Sequence, residues 1–193
     1  MNRDRIAADR AFVGFLESVR KRDDRATLAA LRRALGRNPA AANEAYPYVM
    51  PRVSPDLSPR ERDRDVRIYL LVAGLFASQP RDDSEKASTN FGASMAKLAS
   101  ATETAGVERR MSALLACSFD DLPEHLRRAG TLLKSKQISV DWARLIDDLR
   151  WWDTEDRRVQ REWARAFWTS AGESTEEEET EPAEQMKEKA GVH

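Results

Sequence analysis

An all-helical bundle is the fold this sequence predicts, and three observations carry that prediction. Apolar residues recur three and four positions apart along nearly the whole chain, the spacing that gathers them on one face of a helix. No stretch of five or more residues alternates cleanly between apolar and polar, as a half-buried strand would. Val, Ile and Thr, which favour strands, are few. At 193 residues the chain is long enough to bury a real core, as one bundle or as two small lobes.

The pattern resolves into about eight helices. The first spans 6–20, with Phe12, Phe15, Leu16 and Val19 at helical spacing. Asp23 or Asp24 caps a second, whose stripe is Leu28, Leu31 and Leu35 and which Gly36 ends. Residues 38–59 contain five prolines and the aromatics of Tyr46-Pro47-Tyr48, too apolar for a linker, so an ordered loop packed on the core is expected. A third helix begins near Arg60 and ends near Ser78; its second half, 68–77, is apolar all round and belongs in the middle of the protein. The polar stretch 79–89 reads as a mobile loop. Phe91, Met95 and Leu98 mark a short fourth helix, and Val107, Met111, Leu114 and Leu115 a fifth. For the sixth, Asp121 is the expected N-cap, Pro123 sits in the first turn and Glu124 completes a capping-box arrangement; it continues through Leu126, Ala129 and Leu133 to about Lys136. Trp142, Leu145, Ile146 and Leu149 form the seventh, and Val159, Trp163 and Phe167 the eighth, with Asp153 as its expected cap. Residues 1–171 make the helical domain, and 172–193, Glu-rich and nearly free of apolar residues, read as a disordered acidic tail.

The net charge of -1 conceals an asymmetry. From Gly172 onward eight Glu stand against Lys187 and Lys189. Removing these from the 33 acidic and 32 basic residues leaves 25 and 30, so the body carries about +5 and is a basic protein. The ten-residue apolar run 68–77 is about half a membrane span, and the N-terminus lacks the apolar segment of a secretory signal, so no membrane contact and a cytoplasmic location are expected. One cysteine makes no intramolecular disulfide, which fits a reducing compartment. Cys117, His125 and His193 are too few to build a zinc site, and no cofactor is called for.

Enzyme motifs are missing or weak. Neither phosphate-cradling glycine motif occurs. Ser94-Met95-Ala96-Lys97 matches the S-x-x-K acyl-enzyme pattern, but its companion motifs are absent and the fold is wrong for it. Asp147, Asp148, Asp153, Glu155 and Asp156 offer carboxylates for a Mg²⁺-dependent nuclease, yet such sites need acids converging from separate elements, and these read better as caps and exposed faces. The basic residues say more. They come in pairs on otherwise apolar helices, Arg32-Arg33, Arg109-Arg110, Arg127-Arg128 and Arg157-Arg158, with Arg37, Lys134 and Lys136 close by. Arg33 and Arg37 share a helix face, as do Arg127 and Lys134. A planar, permanently charged guanidinium suits phosphate recognition. A solvated face ion-paired to the many acids is the simpler reading of composition alone, although the Arg109-Arg110 side of its helix lacks nearby acids. Trp142 and Trp163 lie on apolar stripes and belong to the core; Trp151 and Trp152 cannot both face inward.

Several segments, in order, resemble one family: Leu28-Ala29-Ala30-Leu31-Arg32-Arg33-Ala34-Leu35-Gly36, Ala45-Tyr46-Pro47-Tyr48-Val49-Met50-Pro51, Tyr69-Leu70-Leu71-Val72-Ala73-Gly74-Leu75-Phe76-Ala77 and Asn90-Phe91-Gly92. Glu108-Arg109-Arg110-Met111, Leu122-Pro123-Glu124-His125-Leu126-Arg127 and Leu132-Leu133-Lys134-Ser135-Lys136 follow. Val140-Asp141-Trp142 and Val159-Gln160 with Trp163 and Phe167-Trp168 complete the series. Together they are similar to the small subunit of the type I-E CRISPR Cascade complex, the CasB family, over about residues 10 to 170. The resemblance implies an all-helical, non-enzymatic subunit of a crRNA-guided antiviral surveillance complex, binding nucleic acid without sequence preference and stabilising the R-loop with its displaced strand. It implies as partners the Cascade backbone and large subunits, a second copy of the chain, target DNA and, as a further candidate, crRNA. Carried over to this sequence, phosphate contacts fall to Arg32, Arg33, Arg109, Arg110, Arg127, Lys134 and Lys136, with Arg37 and Arg128 added by helical geometry. The acidic tail lies outside the resemblance. An alternative is a helical interaction module whose basic face meets acidic partner surfaces, with nucleic acid incidental.

Overall fold

The computed structural model describes residues 2–35, 42–79, 90–102 and 104–180. Eight longer helices form where apolar spacing put them: α1 (Asn2–Lys21), α2 (Arg25–Ala34), α3 (Pro59–Ser78), α4 (Phe91–Ser100), α5 (Thr104–Ala116), α6 (Leu122–Ser135), α7 (Trp142–Arg150) and α8 (Arg158–Thr180). A single helical turn, Tyr46–Val49, and a 3-10 turn, Met50–Arg52, lie between α2 and α3, and no strand occurs among the described residues. The expected stop at Gly36, the loop 80–89 and most of the tail lie outside the described residues. The backbone of α8 continues through Gly172 to Thr180.

Side-chain caps fix several helix starts. Of the two candidates before α2, Asp24 is the cap: its Oδ1 accepts from the Thr27 amide at 3.0 Å, while Asp23 turns the chain with a φ of 53°. Ser58 and Glu61 form a reciprocal capping box with Pro59 in the first turn, so α3 starts just before the expected Arg60. Asn90 caps α4 and also donates to the Glu162 carbonyl of α8, at 3.3 Å. Asp141 caps α7 through the Arg144 amide at 2.9 Å.

Two expected caps are corrected. Asp121 already has helical backbone angles and makes no side-chain cap; it accepts from the Ser118 hydroxyl at 2.8 Å instead. A turn from Ser118 leads straight into α6, so its first amides bond to carbonyls upstream, and Glu124 is left to pair with arginines. Asp153 does not cap α8, which begins five residues later, at Arg158; it sits in the preceding turn and pairs with Arg64 at 3.1 Å.

α3 is the central helix, packed against α1, α2, α6 and α7, with residues 71–77 all buried. Gly74 makes this possible: a Cβ there would stand 2.9 Å from the Leu31 carbonyl oxygen of α2. The second layer is built around α4, held between α8, α5 and α6. Gln79, just past α3, joins the layers by donating to the Gly130 carbonyl of α6 at 2.9 Å. The connection before α3 is packed on the core as expected, with Ala45, Val49 and Val53 buried. Trp152 and Trp163 are buried with ring centroids 5.0 Å apart, Trp142 is half-buried edge-on to Phe76, and Trp151 and Trp168 are exposed.

One polar cluster lies inside this core. Arg150 of α7 forms a two-pronged pair with Asp9 of α1, both bonds 2.9 Å, and bonds Asp65 of α3 at 2.9 Å. The Tyr69 hydroxyl donates to Asp9 at 2.9 Å. Burial by itself would lower the Arg150 pKa, but the bonds to Asp9 and Asp65 and their charges hold it above its ordinary value. Burial, then the charge of Asp9, raises that of Tyr69.

Candidate nucleic-acid interface

α5 and α6 form an antiparallel hairpin through residues 117–121. Val107, Met111 and Leu114 of α5 and Leu122, Leu126, Ala129 and Leu133 of α6 face the core. Helical geometry then turns Arg109, Arg110 and Ala113 away from the core, opposite His125 and Arg128. Between them runs a groove of about 360 Å³, lined by Gly106, Arg109, Arg110, Ala113, Leu114, His125, Arg128 and Ala129. Small side chains make its floor. Three guanidiniums and an imidazole line it, and no carboxylate does.

The arginines are held differently. Arg110 folds back along its own helix, its Nη1 donating to the Gly106 carbonyl at 2.7 Å. Arg128 pairs with Glu124 at 2.8 Å, and Arg127, about 100° further round α6, pairs with the same carboxylate at 2.5 Å. Arg109 is exposed and makes no ion pair among the described residues. One acid shared by two guanidiniums leaves the groove lining positively charged. Such an arrangement suits an anion whose oxygens can take several guanidinium N–H groups at once.

The other predicted residues lie elsewhere. Arg32 caps the end of the central helix, its Nε donating to the Ala77 carbonyl at 2.6 Å, and Arg20 joins it by donating to the Phe76 carbonyl. Arg33 bonds Glu44, Nε to carboxylate, at 3.0 Å. Arg37 lies outside the described residues. Lys134 and Lys136 are exposed at the C-terminal end of α6, where their charge complements the helix dipole. Lys134 shares the face of Arg127 rather than that of the groove. The structure thus brings Arg109, Arg110 and Arg128 together, with Arg127 on their margin.

Sequence reasoning missed His125 as a groove residue. Counting outward from the turn near Ser118, Arg109 and Arg110 fall opposite 125–128, so hairpin register could have found it. Arg64 and Arg67 lie outside the groove, their guanidiniums 4.2 and 5.1 Å from the Phe119 ring centroid and paired with Asp153 and Asp120.

The clustered acids are taken up individually. Asp148 is buried, accepting from Trp163 Nε1 at 2.6 Å and Arg144 Nε at 2.8 Å. Asp147 approaches Arg150, Asp153 pairs with Arg64 and Asp156 with Arg161. Among the described residues no group of three or more His, Cys, Asp or Glu could hold a metal ion, and no helix is long and apolar enough to cross a membrane. Burial pushes the Asp148 pKa up to about 6, against the opposing bonds from Trp163 and Arg144. The sign is unusual for a carboxylate. The folded state holds this proton more tightly than the unfolded one, so stability from this group falls as pH rises from about 4 to 6. Relative to Asp148→Asn, the wild-type chain is expected to lose on the order of 2–3 kcal/mol between pH 4 and pH 7 in urea unfolding. A difference that stays flat or grows with pH contradicts this.

Known proteins match this chain over most of its length. A family model described as CRISPR-associated protein Cse2 matches residues 27–168. The CRISPR-associated protein Cse2 of Thermus thermophilus is 34% identical over 170 residues, covering 86% of this chain and 95% of that protein. The crystal structure of M. ruber CasB is 30% identical with a TM-score of 0.75, covering 88% of this chain and 97% of that one. A chain of a CRISPR RNA-guided surveillance complex is 27% identical with a TM-score of 0.75, covering 90% and 99%.

Proposed function

The chain belongs to the CRISPR-associated Cse2 (CasB) family, and from that premise we propose that it serves as a non-catalytic subunit of a type I-E Cascade surveillance complex, its α5–α6 groove holding nucleic-acid phosphates without regard to sequence. Similarity to a chain solved within an RNA-guided surveillance complex supports the assembly. The observation that carries the binding role is the groove itself: three arginines and a histidine converge, with no carboxylate in the lining. In such a complex base pairing reads the sequence, and the protein's task is to neutralise and hold strands. Arg109 and Arg110 lead this contact, Arg128 shares it with Glu124, and the R-loop with its displaced strand is the substrate that fits.

Arg32 and Arg33 act mainly within the fold, through the Ala77 carbonyl and Glu44. Lys134, Lys136 and Arg127 extend the basic surface along a neighbouring face of α6. The other Cascade subunits and a second copy of the chain are the protein partners on this reading.

The test is fluorescence anisotropy of the full-length chain with labelled single-stranded DNA of random, oligo-dT and oligo-dA sequence. Arg109→Ala/Arg110→Ala is expected to weaken all three by a similar factor, roughly tenfold or more. A second reading, a module whose arginines meet acidic protein surfaces, is favoured by Tyr46 and Met50, large apolar side chains exposed one turn apart. It predicts no nucleic-acid binding by either protein and stable co-purification with backbone subunits.

A further inference from the structure

The α5–α6 groove leaves a basic pair and an exposed tryptophan of α8 without a role. Arg157 and Arg158 stand where that helix begins, and Trp168 lies exposed further along it. Arg157 is held by the fold, donating to the Leu115 carbonyl. Arg158 is exposed, and Arg161, Arg165 and Trp168 follow it three, seven and ten residues on, all exposed. At about 100° per residue these four positions fall within roughly 80° of one another around the axis. Val159, Trp163 and Phe167, all buried, occupy the opposite side. The four therefore form a ridge about 15 Å long on the outward face of α8.

Little on the protein answers the charge of this ridge. Arg161 reaches Asp156 at 3.5 Å, with both side chains more than half exposed. Asp156 also accepts from the Arg158 amide at 3.3 Å, in the turn that starts the helix. The Arg158 and Arg165 guanidiniums make no ion pair among the described residues. Glu162, the one acid between 158 and 169, is bonded to Arg144 at 2.5 Å. The ridge ends in the Trp168 ring, 44% exposed. An edge-on contact with buried Phe167, centroids 4.9 Å apart at 83°, steadies it.

This composition selects the occupant. A partner helix would need a cluster of apolar anchors, and the ridge has no aliphatic side chain. Arginines in a row beside an exposed aromatic ring match a single strand of nucleic acid, whose phosphates meet the cations and whose bases have free faces for the ring. A duplex offers the same phosphates but keeps its base faces inside the stack.

We propose that the outward face of α8 is a second strand-binding surface, separate from the α5–α6 groove, on which Arg158, Arg161 and Arg165 hold the backbone of a single strand and Trp168 stacks on one of its bases. The ridge thereby distinguishes single strands from duplex, which arginines alone do not. It deepens the strand-binding reading above and rests on it.

The test is fluorescence anisotropy of the full-length chain with three labelled probes of equal length: oligo-dA, an abasic phosphodiester strand and a duplex. Wild type is expected to bind oligo-dA about tenfold more tightly than the abasic strand. Trp168→Ala erases that preference: oligo-dA alone weakens by about tenfold, with its salt slope unchanged, and Trp168→Phe keeps most of the wild-type affinity. Arg158→Gln/Arg161→Gln/Arg165→Gln lowers the slope on both single strands by about 2, three contacts at roughly 0.7 each. Equal binding of oligo-dA and the abasic strand by wild type, or a Trp168→Ala loss of the same size on all three probes, overturns the stacking. If the α8 variants match wild type on every probe while Arg109→Ala/Arg110→Ala is weakened, the ridge is overturned and the groove stands. Losses in the α8 variants with none in the groove variant keep the ridge and overturn the groove. Wild type that binds poly-glutamate and none of the three probes assigns the ridge to an acidic protein surface and overturns both.

Discussion

Arg150→Met is expected to destabilise the chain by about 3–5 kcal/mol, a fall in Tm on the order of 10 °C for a protein of this size. Among the described residues the Arg150 guanidinium is the cation that pairs with both Asp9 and Asp65, and all three side chains are buried. Without it two carboxylates face each other in the core, beside a Tyr69 hydroxyl that still needs its acceptor. The network also joins α1, α3 and α7, so its loss loosens three helices together. Asp63→Asn, on the exposed side of α3, is the control and should stay within about 0.5 kcal/mol of wild type. Circular dichroism melts measure both. A loss below about 1 kcal/mol for Arg150→Met would mean that water reaches and solvates the cluster.

Gly92→Ala comes next in size, at about 3 kcal/mol. The new Cβ would meet backbone, 2.7 Å from Trp163 Cα and 2.8 Å from its carbonyl carbon, and backbone has no rotamer to yield. α4 and α8 would have to separate across their main interface, disturbing the Phe91–Trp163 and Trp163–Trp152 ring contacts. Gly14→Ala provides the opposite case: its Cβ would meet nothing within 4 Å on the exposed face of α1, and it should stabilise by about 0.5–1 kcal/mol. The same chemical change thus has opposite signs at two helical positions. Urea midpoints read both, and Gly92→Ala within 0.5 kcal/mol of wild type would contradict the close packing.

Helix faces were legible because burial imposes a period that few other patterns imitate. Leu28 and Leu31, or Leu145, Ile146 and Leu149, could hardly be arranged otherwise. Helix starts were less so. Asp121 has the right chemistry for a cap, but a turn from Ser118 had already supplied the acceptors its helix needed. Asp153 was claimed by Arg64, far away in sequence, which no local pattern announces. The Arg150 cluster did leave a trace: Asp9 precedes Phe12 and Leu16, and Asp65 precedes Ile68 and Tyr69, at core spacing. A charge in core register calls for a buried partner of opposite sign, and Arg150, four residues after Ile146, was available.

The basic surface was legible as composition and only partly as geometry. Pairs of arginines stand out in the sequence, but which of them faces a helix end, an acid or open solvent depends on tertiary placement. Arg32 lies against the Ala77 carbonyl because α2 packs at the end of α3, whereas Arg109 stays without an ion pair among the described residues because α6 offers it no acid.

That difference gives the most direct measurement: the salt dependence of single-stranded DNA binding by three full-length proteins, wild type, Arg109→Ala/Arg110→Ala and Arg32→Ala/Arg33→Ala. If the groove is the phosphate track, Arg109→Ala/Arg110→Ala lowers the slope of log K against log salt by about 1.4, two contacts at roughly 0.7 each on a single strand. Arg32→Ala/Arg33→Ala then keeps the wild-type slope and shows its effect in a lower Tm. The reverse pattern, with the slope lost at Arg32 and Arg33 and kept in the groove variant, would contradict the assignment of the groove.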